Sequence, residues 1–244
     1  MSVYIAMHKD MQVAYRKGYV PIQVGASGHT PFCHIRDDTG IHISAKNSHY
    51  CELTGLFWVW QNTRDAYKGL VHYRRYFTHR GHILTAEEIG RFLTEYDVLL
   101  PRPEPLREAA WQEFCLHSGF EKDLILTRRA VAAVSGEMLP TFDRVMAGRR
   151  LYLYNMLIAP QAEFDAYCRW LFAVLTQVEQ GVDMSGYTPY QQRLYGFLGE
   201  RLLNVWVTHR GLRVKELSVK NTEQRMAQEV RLWMRRQKNR LLGG

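Results

Sequence analysis

Two adjacent arginines behind a short apolar run mark the first place to look for chemistry. In GLVHYRRYF, residues 69–73 read as a buried strand that delivers His72, Arg74 and Arg75 to its carboxyl end, where open α/β sheets place their ligands. Side-by-side guanidinium groups repel each other until something anionic answers both. A diphosphate does so bidentately, and the same groups stabilise negative charge as it develops. Pairing with nearby Asp or Glu at the surface is the alternative reading. Carboxylates occur in three further settings. RDDTG sets Arg36, Asp37 and Asp38 in a turn closed by Gly40; the acids could bind a pair of hydroxyls or act as a base, and ordinary turn formation explains the same residues. In QQRLYGFLGERLLNVW, Arg193, Glu200 and Asn204 fall within about forty degrees of one another on a helix of 3.6 residues per turn, beside a stripe of Leu194, Leu198, Leu202 and Val205. That pattern suits a general base oriented by two neighbours, and it equally suits plain amphipathicity. Glu52, in YCELTG, is a carboxylate among apolar residues. Asn155 interrupts the apolar run LYLYNMLI, so it either satisfies a neighbouring loop or reaches a ligand.

Those side chains need a frame, and periodicity supplies an α/β one. Strands are expected at residues 3–7, 19–24, 69–73, 98–101, 151–158 and 214–219, the first followed by His8 and Lys9. Helices are expected at about 48–61, from Thr85 with Glu88 completing a capping box, over much of 107–117 and 122–146, after Pro160, and from Thr188 to about Thr208. One domain spans residues 1–222, and a basic amphipathic helix follows at 223–244.

Composition narrows the classes. The 244 residues are 46% hydrophobic and 23% charged, as in soluble globular proteins, with no apolar run long enough to span a membrane and no secretory signal. A cytoplasmic location follows as the expectation. Cys33, Cys51, Cys115 and Cys168 form no C-x-x-C pair and read as packing thiols. His72, His79 and His82 are spaced like metal ligands, but the arginines around them would repel a divalent ion. Dinucleotide-binding, P-loop, zinc-protease and serine-hydrolase signatures are missing. The net charge of +8 is concentrated: residues 223–244 hold six Arg or Lys and two Glu, half of the excess. With the aromatics at core spacings, nucleic acid is not an expected partner.

The stretches IAMHK, YVPIQVGA, RDDTGIHIS, KNSHYCELTGLFWVW, GLVHYRRYF, EYDVLLPRP, LYLYNMLI and RLYGFLGERLLNVW occur in order over residues 3–223. Together they resemble a bacterial capsular and exopolysaccharide glycosyltransferase family long known only as a domain of unknown function. The resemblance implies a GT-A-like, Rossmann-like mixed sheet flanked by helices. It also implies a transferase using a nucleotide-sugar, UDP-linked in expectation, and a glycan acceptor. Some members are associated with galactofuranose transfer, and hexopyranose donors fit this sequence equally. By this resemblance Asp38, Glu200 and Glu52 are candidate catalytic carboxylates. His8, Lys9, Asp37, His72, Arg74 and Arg75 become donor-binding candidates, joined by Arg36 for its place in RDDTG, and Asn155, Arg193 and Arg201 acceptor or sugar-binding ones. Most GT-A enzymes hold Mg²⁺ or Mn²⁺ through Asp-x-Asp, which is absent here. Glu95 and Asp97 have the spacing but precede their strand. No metal or cofactor is therefore expected, with Arg74, Arg75 and His72 replacing the cation. A noncatalytic glycan-binding or scaffolding subunit of the same pathway is the rival reading.

The terminal EVRLWMRRQKNRLL interleaves Val230, Trp233 and Met234 with basic residues, a pattern that suits a peripheral contact with anionic lipid. Deleting residues 224–244 is expected to lower co-sedimentation with anionic liposomes; unchanged binding would remove the anchor.

Overall fold

Val3, Tyr4, Ile5, Ala6 and Met7 are all buried, and an unbroken run of this kind belongs to a strand covered on both faces. Val3, Ile5 and Met7 join one hydrophobic cluster while Tyr4 and Ala6 join another, as the two-residue period of a strand dictates. The structure, a computed structural model, describes residues 1–11, 13 and 16–222. The expected basic helix at 223–244 lies outside the described residues.

In chain order the elements are β1 (Ser2–Met7), β2 (Tyr19–Gln23), β3 (Ile35–Arg36), α1 (Asn47–Tyr50), α2 (Leu53–Asn62), β4 (Tyr67–His72), β5 (Arg75–His79), β6 (His82–Ile83) and α3 (Ala86–Glu95). There follow β7 (Val98–Pro101), β8 (Glu104–Pro105), α4 (Ala110–His117), α5 (Glu121–Val134), α6 (Leu139–Ala147), β9 (Arg150–Leu151), β10 (Leu157–Pro160), α7 (Gln161–Gly181), α8 (Leu194–Arg210) and β11 (Val214–Asn221). Nine strands form one mixed sheet in the order β3-β2-β1-β4-β10-β7-β11-β5-β6. β1, β2, β3 and β4 run parallel, β10 runs antiparallel to β4 and β7, and β11 is parallel to β7. One face is covered by α2 and α4–α8 through the larger cluster, and the other by α3 with Tyr76, Phe77, Ile83 and Leu84. Among the described residues no helix is long and apolar enough to cross a membrane.

Three expected elements are broken, each for a local reason. The single helix at 48–61 is two, because Cys51 takes a left-handed φ of 52°; the Asn47 amide donates to the Cys51 carbonyl and holds the break. The strand at 151–158 becomes β9 and β10 separated by Tyr154 and Asn155, with φ of 77° and 50°. The helix at 122–146 parts at Ser135, and Pro140 sits in the first turn of α6, where its missing N–H costs nothing. The Thr85–Glu88 capping box is present at α3. Asp97 precedes β7 and ties to Arg213 ahead of the parallel β11, at the amino ends of both strands.

β4 matters most to the site, and it carries a packing constraint at Gly69. A Cβ there would lie 2.6 Å from Ile158 and 2.9 Å from the Leu157 carbonyl of β10. Gly69→Ala is expected to cost about 1–3 kcal/mol by overpacking, measurable by urea unfolding.

Candidate functional site

The chain turns from β4 into β5 at a tight corner in which His72 pairs with Arg75. β4 lies next to β1, whereas β5 lies beyond β11, so the corner bridges separate parts of the sheet. A cleft of about 500 Å³ opens here, over the carboxyl ends of β1, β2 and β4. His8, Glu52, His72, Arg74, Arg75, Arg193 and Glu200 line it together, with Tyr154.

Its floor is the 152–155 turn, held against three successive turns of α8. The Asn204 side chain bonds both the amide and carbonyl of Tyr152 at 2.9 Å, Glu200 accepts the Tyr154 amide at 2.7 Å, and the Asn155 amide donates to the Gly196 carbonyl at 3.0 Å. Positions 204, 200 and 196 are four apart and so share one helix face. From the other side the His72 Nε2–H donates to the Tyr154 carbonyl at 2.7 Å, and Asn155 donates to Glu52 at 2.7 Å. Left-handed backbone is costly for a tyrosine and tolerated by asparagine. Together with Cys51, whose Sγ accepts from Arg193 at 3.3 Å, the turn concentrates backbone strain around the cleft, as functional sites often do.

The cleft lining carries both signs of charge. Each cleft arginine rests on an aromatic face: Arg74 on Tyr73 at 4.9 Å, Arg75 on Tyr154 at 4.6 Å, and Arg193 on Phe197 at 5.4 Å and Tyr190 at 5.6 Å. Such stacking preorganises the guanidinium forks without consuming their donors. Burial, reinforced by Arg74, Lys9, His72 and Arg193, pushes the His8 imidazole below its ordinary pKa. Burial likewise lowers His72, with Arg75 and Arg74 adding to it and Glu52 and the Tyr154 carbonyl opposing. The His72 ring is therefore neutral near pH 7, with its proton on Nε2. The carboxylates of Glu52 and Glu200 share this lining. Burial raises Glu200 to about 7 against the opposing pull of Arg201 and the Tyr154 amide, with Glu52 and Glu113 adding to the rise. Its side chain keeps 17% exposure and lines the cleft.

The remaining sequence candidates serve the frame. Asp37 is fully buried, accepting from the amides of Gly25 at 2.9 Å and Ala26 at 3.0 Å and from the Ser44 hydroxyl. It braces the loop after β2 and is not among the residues that line the cleft. Asp38 pairs with Arg36 beside it, so neither the expected carboxylate nor the expected donor arginine of RDDTG enters the cleft lining. Arg201, 3% exposed, joins Glu113 and Glu200 beneath the floor. Asn155 is buried and acts through Glu52. Lys9 stands exposed one residue beyond His8. Sequence reasoning missed Tyr154, Cys51, Tyr190 and Phe197 as lining residues, and Glu113 as the partner of Arg201. The dipeptide Tyr154–Asn155 carried a usable signal, since asparagine inside an apolar run is a common left-handed residue. Among the described residues no group of three or more His, Cys, Asp and Glu is arranged to hold a metal ion.

Fold and cleft together define a single α/β unit whose cleft gathers three arginines. The chain belongs to the family described as a domain of unknown function, DUF4422, whose model matches residues 2–211. Among solved structures it resembles the apo form of WbbM, a bifunctional glycosyltransferase, with a TM-score of 0.83 and 26% identity over 90% of this chain. The match takes in 45% of the WbbM chain, so the present chain spans less than half of that protein's length. No curated protein matches.

Asn155→Ala removes both the residue suited to φ of 50° and a charge-assisted hydrogen bond. It is expected to cost about 2–3 kcal/mol in urea unfolding, with Asn155→Gly, which restores only the backbone, falling in between.

Proposed function

We propose that this chain is a GT-A-like glycosyltransferase that moves a hexosyl group from a UDP-sugar to a hydroxyl of a glycan acceptor in capsule, exopolysaccharide or O-antigen synthesis. Galactose, in its pyranose or furanose form, is the donor sugar we favour. The observation that carries this reading is one carboxyl, Glu200, held near pKa 7 on the wall of a cleft whose mouth is lined by three arginines. The likeness to WbbM supports the transferase class.

In this reading the donor diphosphate lies against Arg74, Arg75 and Arg193, which grip its oxygens and stabilise the charge on the departing nucleoside diphosphate. The acceptor oxygen bonds to the anomeric carbon as the carbon–oxygen bond to the diphosphate breaks. The electron pair of that bond leaves with the diphosphate, and the acceptor proton passes to Glu200. A base with a pKa near the working pH is the most effective at this step. Glu52 acts as a positioning residue, held by Asn155 and repelling negative charge on Glu200. A divalent ion does not fit this donor set: Glu52 and Glu200 are engaged by Asn155, Tyr154 and Arg201, and the arginines above would repel it. Transfer is accordingly proposed to be metal-independent, the cation's role falling to Arg74 and Arg75 with neutral His72 beside them. The location proposed is the cytoplasmic face of the membrane, with the basic tail as a peripheral contact.

Below its pKa Glu200 carries a proton and cannot accept another; above it the carboxylate is free. The transfer rate should therefore rise with pH through a midpoint near 7, and Glu200→Gln should lose that limb along with about 10²–10⁴-fold in kcat. UDP at a hundred times its Kd should add roughly 2.7 kcal/mol of stability, seen as a melting shift that persists in EDTA. A shift that needs Mn²⁺ would overturn metal independence, and no shift with any nucleotide would favour a noncatalytic subunit.

A further inference from the structure

A second cleft, of about 400 Å³, lies on the other side of a thin wall from the first. We infer that this second cleft is the acceptor site, built for a neutral polyhydroxylated sugar chain; the inference rests on the transferase reading above.

The wall is made of two side chains that line both clefts, Arg75 and Tyr154, stacked at 4.6 Å. On the far side it is faced by Arg102, Glu104, Ser218 and Asn221. These come from the segment after β7, from β8 and from the end of β11, and Arg102, Glu104 and Ser218 are exposed. The chemistry of the two clefts differs. The first gathers arginines and suits a polyanion. The second is lined by the carboxylate of Glu104, the guanidinium of Arg102, the Ser218 hydroxyl and the Asn221 amide, so acceptors and donors are both present. Planar charged groups of both signs can each span neighbouring sugar hydroxyls. Tyr154 adds an aromatic edge, its hydroxyl 3.4 Å from Glu104.

Position argues the same way. Glu200 accepts the backbone amide of Tyr154 itself, so the proposed base sits at the foot of the wall. A sugar lying in the second cleft would present its terminal hydroxyl over Arg75 and Tyr154, where donor carbon and base meet. A chain longer than one unit would extend away from the donor, leaving the nucleotide cleft unobstructed.

The test uses the full chain with UDP and with octyl β-galactopyranoside, octyl β-glucopyranoside and octyl α-mannopyranoside as probes, binding being followed by NMR saturation transfer. The variants are Arg102→Ala, Glu104→Gln and Ser218→Trp, all at exposed positions, with melting temperatures confirming the fold. Arg102→Ala and Glu104→Gln should each weaken binding of the best glycoside at least about tenfold, in line with loss of a hydrogen bond to a charged group, and Ser218→Trp should do so by filling the cleft, while UDP affinity stays within about twofold of the parent. Glycoside binding that survives all three substitutions, or UDP binding with no glycoside bound at all, would overturn the acceptor site. Absence of UDP binding in the parent would instead defeat the transferase reading, and loss of glycoside in the variants would then still mark the second cleft as a sugar site.

Discussion

The Tyr154 amide donates to Glu200 across 2.7 Å, and most of the site's architecture follows from keeping that carboxyl where it is. Transferring a carboxylate from water to a largely enclosed site is unfavourable by several kcal/mol unless hydrogen bonds and opposite charge answer it. The amide supplies one answer and Arg201 another, which in turn requires Glu113. The compensation is incomplete, and the residue of it is the raised proton affinity of Glu200. To aim an amide at that spot the backbone must turn left-handed at two consecutive residues, and α8 must hold the turn through Asn204 and Gly196 as well.

The two signs of charge share the cleft lining but are held on different partners. Glu52 and Glu200 are engaged by Asn155, by the Tyr154 amide and by Arg201, and the guanidinium groups of Arg74, Arg75 and Arg193 rest on aromatic supports. Without those partners the acids would pair with the arginines and abolish the cationic field. The 152–155 turn carries two of the partners, and His72 and Asn155 stitch its ends to β4 and to Glu52.

Much of this was legible in the residues. The alternation of strands and helices, the Thr85–Glu88 cap, and the delivery of His72, Arg74 and Arg75 to a strand's carboxyl end are set by local pattern and are seen in the fold. The stripe of Arg193, Glu200 and Asn204 does face the site, although Asn204 holds the turn and does not line the cleft. What could not be read were choices made by distant partners. Asp37 looks like a ligand-binding acid until the amides of Gly25 and Ala26 are seen to occupy it. LYLYNMLI has the composition of a strand, and α8 on one side with His72 and Glu52 on the other makes it turn. Arg201 resembles its neighbour Glu200 in the sequence, yet Glu113, far earlier in the chain, draws it below the floor.

The separations within the cleft have a consequence for when it can exist. His72 meets Tyr154 across 82 residues, Glu52 meets Asn155 across 103, and Tyr154 meets Glu200 across 46. Each contact closes a long loop, whose entropy must be overcome before the contact gains anything. During synthesis the strands from β1 to β10 and the arginine corner emerge well before Gly196, Glu200 and Asn204 do. Until α8 has left the ribosome, the chain carries its arginine corner without the helix that holds the 152–155 turn in place.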